Sequence, residues 1–228
     1  MNFYFTYIIF FFSFFSFSQT TIIKKLGEFS ELKVYNGIQL EIIKSSENKV
    51  EITGDKSEKV KIKQIENVLK FVLKFPDFSA DDKVYIKLFT NNEIVLIDAN
   101  EGAIITGKDI NQLYLEVKAQ EGSFINFVID VKHLKVKSSS SGIIKLTGYA
   151  KNQEVDVDLY GVYHGYNLKV TENTEIKAGS GAKAEVFAGE ILDAKVTFGG
   201  SIFYKGNPEI IKDKKIIGGL IRKVNIKK

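Results

Sequence analysis

LYLEVKAQEGSF (residues 113–124), HLKVKSSSSGII (133–144) and EVDVDLYGVY (154–163) are three passes over one pattern. Leu113, Leu115 and Val117 precede Gly122; Leu134 and Val136 precede Gly142; Val155, Val157 and Leu159 precede Gly161. In each pass apolar and polar residues alternate, the period of a β-strand. A glycine follows, then a second apolar run. Extended in both directions, the glycines are Gly102, Gly122, Gly142, Gly161, Gly181 and Gly200, at intervals of 20, 20, 19, 20 and 19 residues. A period held this closely is the signature of stacked, identical supersecondary units. The same glycines would also serve an antiparallel sandwich, where turns recur every 8–12 residues. The five near-equal intervals favour the repeat.

The expected fold is therefore all-β: a right-handed parallel β-solenoid of about 20-residue coils, preceded by an antiparallel strand segment. One coil cannot bury its own apolar edge, but stacked coils share a continuous core. Six coils spaced about 4.8 Å apart make a rod roughly 29 Å tall. The six glycines are read as structural coil corners, where a positive φ or a close backbone approach excludes Cβ. If Gly161 sits at positive φ, Gly161→Val costs roughly 1–3 kcal/mol.

Residues 1–18 read as a signal peptide. Phe3 to Phe17 is almost wholly apolar, and Ser16-Phe17-Ser18 offers small residues at both positions of a cleavage site. An uncleaved anchor is the rival reading, and after cleavage no membrane span is expected. Residues 19–90 read as an antiparallel cap. Leu32-Lys33-Val34 and Ile38 to Ile42 flank Asn36-Gly37, a dipeptide suited to a hairpin. Residues 91–210 are the repeat, and 211–228, with Pro208 just before and Lys212 to Lys215 within, a C-terminal cap or tail.

The 228 residues carry 32 Lys plus Arg against 28 Asp plus Glu, a net charge of +4, with no cysteine. Disulfides, thiolate metal sites and cysteine nucleophiles are thereby excluded. Arg222 is the single arginine, and Lys and Glu interleave, as in residues 58–63. That distribution argues against nucleic acid, which is usually met by a concentrated basic stripe rich in arginine.

Glu154, Asp156 and Asp158 alternate along one run and could serve a polysaccharide-cleaving site, but Val155, Val157 and Leu159 make them the polar face of a strand. His133 and His164, the only histidines, lack metal-pair spacing. Ser138 to Ser141 and Ala178-Gly179-Ser180-Gly181 do not form a nucleophile elbow. No catalytic, cofactor-binding or metal residue is assigned. Tyr160, Tyr163 and Tyr166 form the candidate binding surface, for a carbohydrate or an envelope protein, provided their rings face outward rather than pack between coils.

Three stretches resemble the auto-transporter adhesin, head GIN domain family of Bacteroidetes exported proteins. They are Phe29 to Ile42, the strand and turn Val50 to Asp55, and Phe198-Gly199-Gly200 through Tyr204-Lys205-Gly206-Asn207-Pro208. The resemblance spans roughly residues 26–210. It implies repetitive parallel β architecture, no catalytic residues, and an adhesive role. Together these readings give an exported, non-enzymatic adhesin or binding protein of the periplasm, outer surface or exterior. The alternatives are a polysaccharide lyase or hydrolase on a β-helix, and a structural envelope protein assembling end to end.

Overall fold

A computed structural model describes residues 21–225, so the expected leader lies outside the described residues. The strands are β1 (Ile22–Lys25), β2 (Glu31–Val34), β3 (Gln39–Lys44), β4 (Lys49–Thr53), β5 (Val60–Ile65), β6 (Val68–Leu73), β7 (Tyr85–Thr90), β8 (Leu96–Ala99), β9 (Ile104–Ala119), β10 (Phe124–Ser138), β11 (Ile143–Val157), β12 (Val162–Val170), β13 (Asn173–Ala178), β14 (Lys183–Phe187), β15 (Ile191–Thr197), β16 (Ser201–Lys205), β17 (Ile210–Ile216) and β18 (Leu220–Lys223).

Every coil contributes one run to each of two parallel ladders. The first ladder stacks β7, β3, the leading halves of β9, β10 and β11, then β12, β14, β16 and β18. The second stacks β6, β2, β8, the trailing halves of β9, β10 and β11, then β13, β15 and β17. The result is a β-solenoid of about 7 turns. The register partners Ile104, Phe124, Ile143, Val162, Lys183, Ser201 and Leu220 give coil lengths of 20, 19, 19, 21, 18 and 19 residues. The long coil contains a bulge. Lys145 pairs with His164 and Thr147 with Asn167, so β12 spends one extra residue there. The next coil, at 18 residues, is three shorter than the long one and one shorter than the coil after it, which offsets the excess.

Alternation places one side chain in two inside. Ile105, Ile125, Ile144, Tyr163, Ala184 and Ile202 form one buried column, and Val117, Val136, Val155, Ile176 and Ala194 another. In-register columns of branched side chains suit this geometry because each strand repeats the face of its neighbour. The column ends change character. Asp213 and Lys215 of β17 occupy the inward positions held by Ala194 and Val196 in β15. Inward-pointing charges are one way a sheet edge is made unattractive to a further strand.

At the other end, β4 runs antiparallel to β7, β1 to β4, and β5 to β6. These are the antiparallel strands the sequence suggested, but β2 and β3 are not among them. They do not pair with each other. They form a complete parallel coil held between the β6–β7 coil and the one begun by β8. The parallel ladders thus run from Glu31 to Lys223, beyond the 91–210 span on both sides.

Asn36-Gly37 is a coil corner rather than a hairpin, and it belongs to a stack of equivalent corners. Asn36-Gly37, Glu101-Gly102, Glu121-Gly122, Ser140-Ser141, Leu159-Tyr160, Ser180-Gly181, Phe198-Gly199 and Ile217-Gly218 all have both residues at positive φ. This is the φ signature of a type I′ turn. Where the turn bond is formed, it runs from the residue after the pair to the residue before it, as in Gly161 N–H to Asp158 O at 2.9 Å. A second set of bonds joins the corners to one another. The N–H of Gly37, Gly102, Gly122, Ser141, Tyr160 and Gly181 each donates to the carbonyl of the first corner residue one coil on, at 2.8–3.3 Å.

The six corner glycines divide into two classes. Gly102, Gly122 and Gly181 are second corner residues at φ +74°, +73° and +72°. Gly142, Gly161 and Gly200 lie one position later and are not at positive φ. A Cβ there would sit 2.1, 2.4 and 2.3 Å from the carbonyl oxygens of Ala119, Ser138 and Ala178 in the adjacent coil. The positive-φ premise for Gly161 therefore does not hold; close backbone approach is what requires glycine. The second corner residues, at 102, 122, 141, 160, 181 and 199, are spaced by 18 to 21 residues, and the one-residue offset between the classes narrows the glycine intervals to 19 or 20.

Candidate functional site

Type I′ corners favour Asn, Asp and Gly because both residues need φ > 0. Asn36-Gly37, Glu101-Gly102 and Glu121-Gly122 come close to that preference. The later corners do not. Leu159, Tyr160, Phe198 and Ile217 sit at φ 46°, 61°, 48° and 54°. Their side chains are 51%, 72%, 61% and 70% exposed. A bulky or β-branched residue in this region is strained, and these four gain little burial in return. They form an apolar ridge along one edge of the last coils. Between them Ser180-Gly181 presents no large side chain, and the Tyr160 ring leans into that gap: a Cβ on Gly181 would lie 2.8 Å from Tyr160 Cε1.

Beside the ridge lies a recess of about 160 Å3, lined by Asp156, Asp158, Lys177, Gly179, Lys195 and Thr197. Asp158 immediately precedes the corner, and its Oδ1 accepts the Leu159 N–H at 2.8 Å. Lys177 is the register partner of Asp156, and Lys195 follows Lys177 in the same column. The recess therefore balances two carboxylates against two ammonium groups and adds the Thr197 hydroxyl.

The three tyrosines of the sequence reading do not meet. Tyr160 is on the ridge. Tyr163 is fully buried; its ring covers Gly165, and its hydroxyl donates to Gln153 Oε1 at 3.2 Å. Gln153 Nε2 in turn donates to Thr174 Oγ1 and to the Phe187 carbonyl, both at 3.2 Å. Burial raises the Tyr163 hydroxyl pKa far above its ordinary value. Tyr166 faces outward on the first ladder, beside the β12 bulge. Three-residue spacing across a corner and a strand turns the rings in three directions.

Leu159, expected on an inner strand face, is instead the first corner residue. Phe198 and Ile217 could have been found from the sequence by one signal: a large apolar residue just ahead of the corner glycine, as in Thr197-Phe198-Gly199 and Ile216-Ile217-Gly218.

Of the remaining candidates, His133 and Glu154 line one recess with Tyr114, Lys135 and Asn152. Glu154 pairs with Lys135 at 3.1 Å. The two histidines lie on different ladders, His133 in register with Tyr114 and Asn152, and His164 with Nδ1 2.7 Å from Glu185 Oε2. Ser138 is buried and donates to the Gly142 carbonyl at 2.6 Å. Among the described residues no group of His, Cys, Asp and Glu could hold a metal ion, and no helix is long and apolar enough to cross a membrane.

Residues 28–208 match the family described as "Putative auto-transporter adhesin, head GIN domain". The chain belongs to this family. No curated protein matches it. Its fold is shared by solved structures, among them the following three. A putative adhesin from Bacteroides fragilis superposes with a TM-score of 0.82 at 20% identity, covering 92% of this chain and 98% of that one. A putative adhesin from Parabacteroides merdae gives 0.71 at 19% identity, with 92% and 97% covered. A putative lipid binding protein from Parabacteroides distasonis gives 0.68 at 20% identity, with 92% and 98% covered. At these identities the likeness establishes the fold, a head GIN domain solenoid.

Proposed function

We propose that this chain is an exported, non-enzymatic binding protein of the cell envelope, an adhesin whose contact surface is the apolar ridge and the recess beside it. One observation carries the reading: Leu159, Tyr160, Phe198 and Ile217 occupy backbone positions that disfavour them, with side chains left in solvent. Strain retained without a packing return points to function. The partner that suits the site is a neutral carbohydrate. An exposed tyrosine ring offers a face for the apolar side of a sugar, and the balanced Asp, Lys and Thr groups of the recess bind hydroxyls without selecting a charge.

The test is binding of the purified chain to a neutral-glycan array and to host-type cell surfaces, comparing wild type with the double variant Leu159→Asn, Tyr160→Gly. Retained folding with lost binding supports the reading. Equal binding by both overturns it. Protease shaving of intact cells tests the location: loss of the protein supports surface display, and survival until the outer membrane is disrupted overturns adhesion to external surfaces.

A further inference from the structure

A second cluster lies away from the corner, on the outer face of the first ladder's last four strands, β12, β14, β16 and β18. Phe203 of β16 is the register partner of both Glu185 of β14 and Arg222 of β18. Its ring is approached from both sides, by Lys183 Nζ at 5.6 Å and Arg222 Cζ at 5.1 Å from the centroid. Lys205, two residues along on the same face, places Nζ 4.4 Å from the centroid of the Tyr166 ring. The extra residue in the β12 bulge sets Tyr166 there; bulges commonly re-aim a side chain in this way.

The charges in the cluster are unequal. Glu185 is its acid, and it is already engaged: Oε1 accepts Lys183 Nζ at 2.6 Å and Oε2 faces His164 Nδ1 at 2.7 Å. Among the described residues, neither Arg222 nor Lys205 has a carboxylate within ion-pair distance, and the Tyr166 hydroxyl has no hydrogen-bond partner. Burial first, and then the Glu185 charge, push the Tyr166 hydroxyl up to about 12, so it stays a proton donor at physiological pH. Three donors therefore face solvent with no acceptor of their own. Two of them are held in place by aromatic rings rather than by ion pairs, which leaves their N–H groups free. The chain's single arginine stands where a planar fork can meet two oxygens at once.

We propose that Tyr166, Lys205 and Arg222, supported by Phe203, form an oxyanion-binding site for a phosphate or sulfate ester presented on a polymer or a membrane surface. The site is separate from the apolar ridge and does not depend on the function assigned to it. Arg222 engages two ester oxygens, Lys205 supplies the second positive charge, and the Tyr166 hydroxyl donates to a third oxygen.

The experiment measures binding of the full chain to dextran sulfate, to unsulfated dextran, and to vesicles of phosphatidylcholine with and without phosphatidylglycerol. The variants are Lys205→Gln with Arg222→Gln, Tyr166→Phe, and a control that also removes two positive charges, Lys212→Gln with Lys214→Gln, on β17 of the second ladder. Expected is salt-sensitive binding to a sulfated or phosphorylated probe but not to plain dextran, weakened at least about tenfold in the Lys205/Arg222 variant and less in Tyr166→Phe. Thermal unfolding confirms that each variant is folded. Preference for dextran sulfate marks a polymer ester as the source, and preference for anionic vesicles a lipid headgroup. The proposal is overturned if neither anionic probe binds, or if the control variant loses as much affinity as the Lys205/Arg222 variant.

Discussion

The early and late halves of the corner stack share one backbone and differ in what they place on it. Asn36-Gly37 is built for its position. Asn36 Nδ2 donates to Glu101 Oε2 at 2.6 Å and to the Phe78 carbonyl at 3.2 Å, while Oδ1 accepts the Leu73 N–H at 3.0 Å. Leu159-Tyr160 has the same φ signature and the same inter-corner bonding, with two large side chains in solvent. The early corners show that the fold asks for nothing bulky here. The late corners carry side chains that this backbone disfavours and leaves exposed, so the two halves share a scaffold and differ in what they put on it.

The largest effect tests the part common to both halves. Gly161→Val drives a side chain into the Ser138 carbonyl of the neighbouring coil, and neither backbone can retreat without breaking the stack. It should cost about 3 kcal/mol or more in chemical denaturation. Gly122→Ala, with open space around its Cβ position, should cost only about 1–2 kcal/mol, the left-handed conformation alone. Equal losses would show that φ rather than close approach governs both glycine classes.

Transplanting the late corner onto an early one comes next. Glu121→Leu with Gly122→Tyr should destabilise by about 2 kcal/mol and create no glycan binding, because the recess of Asp156, Asp158, Lys177, Lys195 and Thr197 lies beside a different corner. The reverse exchange, Leu159→Asn with Tyr160→Gly, should raise stability by about 1 kcal/mol as binding disappears. A drop in its melting temperature would show that Leu159 and Tyr160 support the coil and would erase the contrast.

The smallest effect lies off the corner, in the late coils of the first ladder. Burial alone would raise the Glu185 pKa, but hydrogen bonds from Lys183 and His164 outweigh it and hold the carboxyl below its ordinary 4.5. A depressed carboxyl stabilises the fold above its unfolded pKa, and that contribution fades as pH falls through the lowered folded value. Glu185→Gln should therefore flatten the decline of melting temperature below about pH 4.5. An unchanged decline would leave Glu185 without a part in acid stability.

The architecture was legible because a corner must accommodate its backbone every coil, and glycine records that requirement at a nearly fixed interval. The N-terminal coil was not, because Asn36-Gly37 satisfies a hairpin and a solenoid corner with the same two φ values; only the long-range partners of β2 and β3 tell them apart. Of the three tyrosines, Tyr160 alone is left largely exposed. Tyr163 and Tyr166 were grouped with it because spacing in the chain cannot show where the corner rotates the strand. Phe198 and Ile217 were hidden for a related reason: apolar residues beside a strand read as core until the corner carries them outward.

The hydrogen bonds of both ladders and of the corner stack point along the solenoid axis. A load applied between the two ends acts on successive coils in series, so the weakest interface gives way first and the rest can follow one coil at a time. A load applied across the rod, between its two edges, is shared by many rungs at once in shear. The rod is thus mechanically anisotropic, and the force it withstands depends on the direction in which it is pulled.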